Sequence, residues 1–216
     1  MKLEVEDLTV TRGGEVLAAG LSFSVSSGRA LTIEGANGAG KSSLLRVLAG
    51  LLEPQRGRVS LVEKPDTFRE DELESLCHYL GHDNAMKPAL SVQDNLAFWR
   101  SFLGRPDLEV DEALDLVGLG GLESVPFGHL STGQRRRVSI ARLLTSYRPI
   151  WLLDEPTSGL DGVSRKQFGS LMQAHLDDGG LIVAATHMEL GLNAGCCDLL
   201  DFDGLGKRAQ PDMSAS

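Results

Sequence analysis

Two stretches near the N-terminus, residues 3–10 and 16–25, alternate apolar with polar side chains and are separated by a pair of glycines. A period of two predicts strands with one buried face, and the glycines between them predict an antiparallel pair. Residues 29–34 and 59–62 are short and mostly apolar, which predicts two further strands. Residues 63–74 are charged and predict a surface loop that leads into a helix.

The middle of the chain changes to a helical period. Over residues 83–145 the apolar side chains recur every three or four positions, which predicts a block of helices. Ser91 and Asp94 resemble a capping box in front of the first helix, the second is predicted over residues 110–119, and the third begins at Ser131.

An alternation of strands and helices frames this helical block. Residues 150–153 and 181–185 are continuous apolar runs, which are typical of central parallel strands covered on both faces. Residues 163–176 predict the helix between them. The sequence therefore predicts an α/β fold, with one domain over residues 1–206 into which the helical block is inserted. Residues 207–216 have no periodicity and are predicted to be a disordered tail.

The loop between the predicted strand at 29–34 and the helix that follows it carries the clearest chemical signal. Its sequence GANGAGKSS fits the pattern G-x-x-x-x-G-K-[ST]. A glycine-rich turn before a helix points several backbone N–H groups at one spot, where the helix dipole favours negative charge. This predicts a polyphosphate site in which Lys41 reaches the β- and γ-phosphates and the Ser42 hydroxyl binds Mg²⁺. The predicted ATP-binding residues of the loop are Gly35, Ala36, Asn37, Gly38, Ala39, Gly40, Lys41, Ser42 and Ser43.

A pair of acidic residues, Asp154 and Glu155, directly follows the apolar run 150–153. A carboxylate at the end of such a strand can orient Mg²⁺, usually through water, and a second can deprotonate an attacking water. A single acidic residue in this place is often a helix cap. Two of them, followed by the turn sequence PTSGLD, favour the catalytic interpretation.

The third predicted helix begins with the sequence LSTGQ. Ser131 is predicted to cap the helix, and Gln134 completes an S-x-x-Q capping box. An exposed helix N-terminus with Ser131 and the Gly133 amide is also a possible anion site.

In this order and spacing, the motifs resemble those of the ATP-binding subunits of ABC transporters over nearly the whole chain. GANGAGKS resembles the Walker A loop, LSTGQ the signature motif, IWLLDE the Walker B strand, SGLD the D-loop, and Thr186-His187 the switch histidine. The resemblance implies a P-loop NTPase (RecA-like) core with an N-terminal antiparallel β subdomain and an inserted helical subdomain at about residues 83–145.

The resemblance also implies a homodimer that hydrolyses ATP with Mg²⁺. Each ATP would lie between the Walker A loop of one copy and the signature residues Ser131, Thr132, Gly133 and Gln134 of the other. By the same resemblance Glu155 is the general base, His187 contacts the γ-phosphate, and Asp161 belongs to the D-loop. The alternative for His187 is a core histidine at a strand end.

Three residues depart from the common pattern of the family. Thr132 replaces a glycine, a small change that still permits close approach to phosphate. His82 stands where a glutamine is expected, and it could contact the Mg²⁺-bound water or only pack. Arg12 replaces the aromatic residue that stacks on adenine, and it could stack on the base or be a solvated surface arginine.

Together with the sequence LSTGQRRRV, these departures resemble the haem-exporter, or cytochrome c maturation, type of ATPase subunit. That resemblance implies integral membrane permease partners, release of a haem-loaded chaperone, and a peripheral position on the cytoplasmic face of the inner membrane. A groove near residues 82–99 would receive a partner's helix. The run of arginines at 135–137 could mark proximity to the membrane, but signature helices often carry basic residues, so an interpretation without a special role is favoured.

Three other functions are alternatives to this one. An ABC ATPase for a different transported substrate stays open, because this subunit does not touch the cargo. An ABC protein acting on DNA is disfavoured, because that type needs a long coiled-coil insertion and only residues 44–130 separate the two motifs. One acting on ribosomes is disfavoured, because that type generally carries two cassettes and this sequence has one. The presence of both Glu155 and His187 argues against a regulatory module without turnover.

Composition changes this picture little. The chain of 216 residues is 42% hydrophobic and 24% charged, which is ordinary for a globular protein. Its net charge of −9 argues against a direct nucleic-acid partner, because phosphate backbones attract basic surfaces.

The cysteines and the hydropathy pattern concern the cellular compartment. Cys77, Cys196 and Cys197 are few and odd in number, which favours reduced thiols over a disulfide framework. A metal or haem site at Cys196 and Cys197 is disfavoured, because no His or further Cys lies near them at ligand spacing. No apolar run approaches the ~18–20 residues that span a bilayer, and residues 2–7 are acidic, unlike a signal peptide. We therefore expect association with the membrane only through partners.

Overall fold

In the computed structural model, residues 1–64, 66–68 and 72–203 are described, so the predicted tail at 207–216 lies outside them. The N-terminal sheet has the strand order β2-β1-β4, in which β1 (Lys2–Arg12) pairs antiparallel with both β2 (Glu15–Ser26) and β4 (Arg56–Val62). Alternate apolar residues of β1 are buried, as the period of two predicts.

The central sheet is parallel and has the order β5-β6-β7-β3-β8. Its strands are β3 (Ala30–Glu34), β5 (Cys77–Leu80), β6 (Ile150–Asp154), β7 (Leu181–Ala185) and β8 (Cys197–Asp201). The helices are α1 (Lys41–Leu48), α2 (Val92–Leu103), α3 (Val110–Leu116), α4 (Thr132–Leu144) and α5 (Gly162–Asp177).

Alternate residues of the central strands point into two separate cores. Ile150 and Leu152 belong to the core shared with α1 and the N-terminal sheet. Trp151 and Leu153 belong to the core shared with α4, α5 and the inserted helices. Because both faces of these strands are covered by other elements, successive side chains are all apolar and the sequence shows unbroken apolar runs. The predicted architecture, a parallel core with an antiparallel N-terminal sheet and inserted helices, is confirmed.

Several local predictions need correction. Residues 66–68 and 73–76 form 3₁₀ turns instead of the predicted loop and helix. α3 ends at Leu116, earlier than the predicted residue 119, because Gly118 adopts a φ of +66° that terminates the helix. β5 and β8 were not predicted, since β5 has only four residues and β8 is an edge strand with mostly exposed side chains.

Candidate functional site

The carboxyl ends of three neighbouring strands meet at one edge of the central sheet. β3 ends where the glycine-rich loop begins, β6 ends at Asp154 just before Glu155, and β7 ends two residues before His187. In the parallel register Ala185 pairs with both Asp154 and Ile33. The loop, the acidic pair and the histidine therefore lie side by side, although they are far apart in sequence.

Lys41 is the first residue of α1, and its side chain is only 8% exposed. Its Nζ donates to the carbonyl oxygens of Gly35 at 2.5 Å and Ala36 at 3.0 Å. The same Nζ lies 3.4 Å from Nε2 of His187. The ammonium group is thus held over the loop beside the histidine, where its charge can meet an anionic phosphate chain.

The start of α1 is arranged for an anion. Its N-cap is Gly40, so no cap side chain covers the amides of the first turn, which include those of Ser42 and Ser43. Gly40 has a φ of +116°, and a Cβ there would lie 2.8 Å from Cβ of Leu17 on β2. Only glycine fits this close approach between the loop and the N-terminal sheet.

The tip of the loop is exposed at Asn37 and Gly38, and Ala39 donates its N–H to the carbonyl of Ala36 at 3.2 Å. The Ala36 N–H donates to Oδ2 of Asp203 at 2.8 Å. This amide, which was predicted to face phosphate, therefore has a protein partner in this structure. Asp203 was not predicted because it follows β8, the edge strand that the sequence pattern does not show.

Arg12 lies at the end of β1, paired in register with Glu15, and its side chain is exposed. The same β1–β2 hairpin presents Leu17 to Gly40. The structure therefore places Arg12 on the hairpin that contacts the phosphate loop.

Asp154 is 8% exposed and has a tyrosine beside it. The Tyr79 hydroxyl donates to Oδ2 of Asp154 at 3.5 Å. Burial raises the pKa of Tyr79, which keeps the phenol protonated and able to donate. The hydrogen bond with Tyr79 in turn raises the pKa of Arg46 on α1, so the three side chains link α1, β5 and β6.

Glu155 has an unusual backbone conformation, with a φ of +44°. Residues other than glycine seldom adopt this left-handed region, which costs about 1–3 kcal/mol and persists only where the surroundings hold it. The Glu155 N–H donates to the Ala185 carbonyl at 2.8 Å, and its carbonyl accepts from Ser158 N–H at 3.1 Å. The strain coincides with the carboxylate predicted to be the general base.

A cavity of about 290 Å³ opens beside Glu155. Its lining comes from three segments of the chain and consists of His82, Asp83, Asn84, Thr132, Arg136, Glu155, Ser158 and Gly159. His82 is exposed and lines this cavity, so both alternatives for it, contact with the Mg²⁺-bound water and packing, remain predictions. His187 is exposed as well, which excludes the core interpretation for that residue.

The signature sequence forms the predicted capping box at the start of α4. The Ser131 hydroxyl accepts from Gln134 N–H at 3.3 Å, and Oε1 of Gln134 accepts from Ser131 N–H at 2.9 Å. A Cβ on Gly133 would lie 3.2 Å from the Gly159 carbonyl, so the signature is close to the D-loop of its own chain. Within the described residues, no hydrogen bond joins residues 131–134 to the phosphate loop.

Asp161, at the end of the D-loop, is the N-cap of α5. Its Oδ1 accepts from Ser164 N–H at 2.8 Å, and this hydrogen bond lowers the pKa of the Asp161 carboxyl. The residue therefore has a structural contact of its own within the chain.

The donors at this edge suit Mg²⁺. Ser42 offers a hydroxyl and Asp154 a carboxylate, which are the oxygen ligands that Mg²⁺ prefers. No cluster of three His, Cys, Asp or Glu side chains that could hold a metal occurs in the described part of the chain.

Three residues of this region were not predicted to contribute to it: Tyr79, Asp203 and Arg136. Arg136 was interpreted as having no special role, but it is buried with 6% of its surface exposed. Spacing gave no signal for it, because Arg135 and Arg137 also precede buried residues of α4 by three and four positions.

Comparisons with known proteins agree with this geometry. The sequence profile of the family described as ABC transporter matches residues 18–158. The Cytochrome c biogenesis ATP-binding export protein CcmA of Mesorhizobium japonicum is 56% identical over 192 residues, which cover 89% of this chain and 94% of that protein.

Solved structures share the fold. A putative ABC transporter ATP-binding protein from Pyrococcus furiosus has a TM-score of 0.79 at 23% identity, over 95% of this chain and 100% of that one. A bacterial ABC transporter cassette whose structure is described as dimeric has a TM-score of 0.73 at 25% identity, over 86% and 88% of the two chains. Among the described residues, no helix has the length and apolar character needed to cross a bilayer.

Proposed function

The chain belongs to the ABC transporter family of ATP-binding subunits, and we propose that it couples ATP hydrolysis to an export step of cytochrome c biogenesis. The observation that carries the hydrolysis is the meeting of Lys41, the Asp154-Glu155 pair and His187 at one sheet edge. The export step is supported by the 56% identity to a relative named for it.

The chemistry is assigned to this chain's own residues as follows. Lys41 and the first-turn amides of α1 hold the β- and γ-phosphates. Glu155 accepts the proton of the attacking water, and His187 helps to place that water against the γ-phosphate. Ser42 and Asp154 would hold Mg²⁺, which neutralises charge on the phosphate oxygens when it is bound.

Four further residues keep proposed roles at the edges of this site. His82 would reach the metal-bound water from the cavity that it shares with Glu155. Arg12 would stack its guanidinium plane on the adenine, since it is exposed on the hairpin next to the loop. Tyr79 would orient the Asp154 carboxylate, and Asp161 would contact the second copy from the D-loop.

We propose that the functional unit is a head-to-tail homodimer. The signature of one copy, Ser131 to Gln134, in which Ser131 and Thr132 are exposed, would bind the ATP held by the loop of the other. The dimeric cassette with the same fold supports this arrangement.

The membrane partner would bind in a groove of about 420 Å³ between the helical subdomain and the core. Its walls include Trp99, Leu51 and Leu103, and the exposed rings of Phe98 and Phe102 lie beside it. A cytoplasmic helix of a permease subunit, with its own apolar face, suits this surface. His82 lines both this groove and the cavity of Glu155, which would connect partner binding to the reaction centre.

The test is genetic complementation together with a binding assay. In a bacterium that lacks its own relative, the wild-type chain should restore covalently haem-bound c-type cytochromes. Glu155→Gln should not restore them, although it should bind ATP as the wild type does, since only the base is removed. Lys41→Ala should fail in both assays, because a charged phosphate contact of ~1.5–3 kcal/mol is lost.

The outcomes separate the alternatives. A wild-type chain that hydrolyses ATP but does not restore cytochromes belongs to a transporter of another substrate. Normal turnover by Glu155→Gln would show that Glu155 is not the base.

A further inference from the structure

Arg136 connects three segments of the candidate site through its guanidinium group. Its Nη1 donates to the Gly81 carbonyl at 2.7 Å, just before His82. Its Nη2 donates to the carbonyls of Asp154 at 3.0 Å and Glu155 at 2.8 Å. Its Nε donates to the Pro156 carbonyl at 3.3 Å.

The two neighbouring arginines contact other parts of the molecule. Arg135 donates to the Gly128 carbonyl at 2.6 Å and lies over the ring of Phe127. Arg137 donates to the carbonyls of Val117 and Gly118 at 3.2 and 3.0 Å, at the end of α3. Both sets of contacts stay within the helical subdomain, so only the middle arginine of the run reaches the end of β6.

The hydrogen bonds of Arg136 matter because its charged guanidinium group is buried. Burial lowers the pKa of its guanidinium, opposed by the nearby carboxylates of Asp154 and Glu155. The group stays charged in a buried place because four carbonyl dipoles surround it. A shorter side chain would leave these carbonyls without the fork of donors that now spans them.

Two of the four carbonyls flank the strained residue of the site. The Glu155 backbone has a φ of +44°, and Arg136 holds both the Glu155 carbonyl and the one before it. A left-handed residue of this kind needs contacts that hold it in place. The hydrogen bonds of Arg136 are contacts of that kind, and they come from the signature helix.

We propose that Arg136 is a positioning residue for hydrolysis, which ties the signature helix to the backbone of Glu155 and to the junction before His82. This inference rests on the proposed role of Glu155 and adds a residue that acts through it. Arg136 does not touch the reacting atoms. It fixes the direction in which the Glu155 carboxylate points, and it links that direction to the position of α4.

The test compares Arg136→Gln and Arg136→Lys with the matched control Arg137→Gln, using the full chain. Arg136→Gln should lower kcat for ATP by about tenfold or more and leave the KM within about threefold, because a misplaced base affects the chemical step more than ATP binding. Arg136→Lys keeps the charge but lacks the planar fork, and its kcat should remain about threefold or more below the wild type. Arg137→Gln should keep the wild-type kcat.

A double variant separates positioning from general loss of structure. In the Glu155→Gln background, adding Arg136→Gln should leave the residual rate unchanged, since the residue through which Arg136 acts is already altered. Thermal unfolding shows whether each variant is folded. If Arg136→Gln is not folded, the comparison uses Arg136→Lys.

A wild-type kcat in folded Arg136→Gln or Arg136→Lys would overturn the proposal, and so would an equal loss in Arg137→Gln. If Glu155→Gln is inactive while both Arg136 variants are fully active, the proposed hydrolysis stands and only the role of Arg136 fails. A wild-type chain without ATP turnover would instead refute the proposed function itself.

Discussion

Single side chains of this protein differ in how far their roles could be predicted from sequence. The position of Lys41, Glu155 and His187 at one sheet edge could be predicted, because each follows an apolar strand, whereas their roles remain predictions. Arg136 could not be distinguished from Arg135 and Arg137 by spacing or charge. Its role depends on which side of α4 meets the end of β6, and that is set by tertiary packing.

Two buried histidines, His78 and His175, also could not be recognised from the sequence, because their burial is set by tertiary packing. His78 on β5 shares a hydrogen bond of 2.8 Å with the Ser146 carbonyl, and burial lowers its pKa to about 3. His175 on α5 stacks on Trp151 with ring centroids 4.1 Å apart, and burial lowers its pKa to about 4. Both are neutral in the folded protein near neutral pH.

These lowered pKa values predict a loss of stability in acid. Between pH 6.5 and pH 4 the unfolded chain binds more protons than the folded one, so the free energy of unfolding falls as the pH falls. At pH 5 the contribution of His175 to this loss is about 2 kcal/mol.

Replacing His175 tests this expectation at the level of one residue. His175→Phe keeps the ring stack on Trp151 and removes the titrating group. The difference in the free energy of unfolding between pH 7.5 and pH 5 should therefore shrink by about 2 kcal/mol, as measured by urea denaturation at both pH values. An unchanged difference would show that His175 does not titrate in this way.

At the scale of elements, the strands with strong patterns were predicted and those with weak patterns were not. β6 and β7 are buried on both faces, and their continuous apolar sequence identifies them. β8 is exposed along four of its five residues, so its sequence lacks an apolar signal. The strand is fixed by pairing with β3 from Ala30 to Glu34, a long-range contact that no local pattern encodes.

The turn from β3 into α1 is the element to which we assign nucleotide binding, and Gly40 is the residue of this turn with the closest approach to the N-terminal sheet. Gly40→Ala should lower the free energy of unfolding by about 1–3 kcal/mol, since a Cβ would approach Leu17 at a φ of +116°. It should also weaken ATP binding, because the first-turn amides of α1 would move.

The matched control for this substitution is Gly162→Ala at the start of α5. That position has no atom within 4 Å of an added Cβ, so the change should be neutral or stabilising by up to ~1 kcal/mol. Thermal unfolding and nucleotide titration of both variants check the two expectations. Equal effects at the two positions would contradict the steric explanation for Gly40.

At the scale of the whole molecule, the two cores lie on opposite faces of one sheet. α1 packs on the face shared with the N-terminal sheet, and the inserted helices pack on the other. His82 lines both the groove between α1 and the inserted helices and the cavity beside Glu155. This layout supports the proposal that partner binding and ATP hydrolysis influence each other through this residue.

The central claim is that two copies dimerise around ATP, so that the signature of each copy contacts the ATP bound by the phosphate loop of the other. Glu155→Gln should bind ATP without cleaving it and therefore hold the closed state. The most direct measurement is the mass of this variant by analytical ultracentrifugation, with and without Mg·ATP. Ser131→Arg in the same background is the control, because a long side chain at this position would block the signature surface that contacts the second copy.

With Mg·ATP, we expect Glu155→Gln to sediment as a dimer of two 23.2 kDa chains, and the variant that also carries Ser131→Arg to remain a monomer. A Glu155→Gln variant that binds ATP but stays at 23.2 kDa would contradict the account.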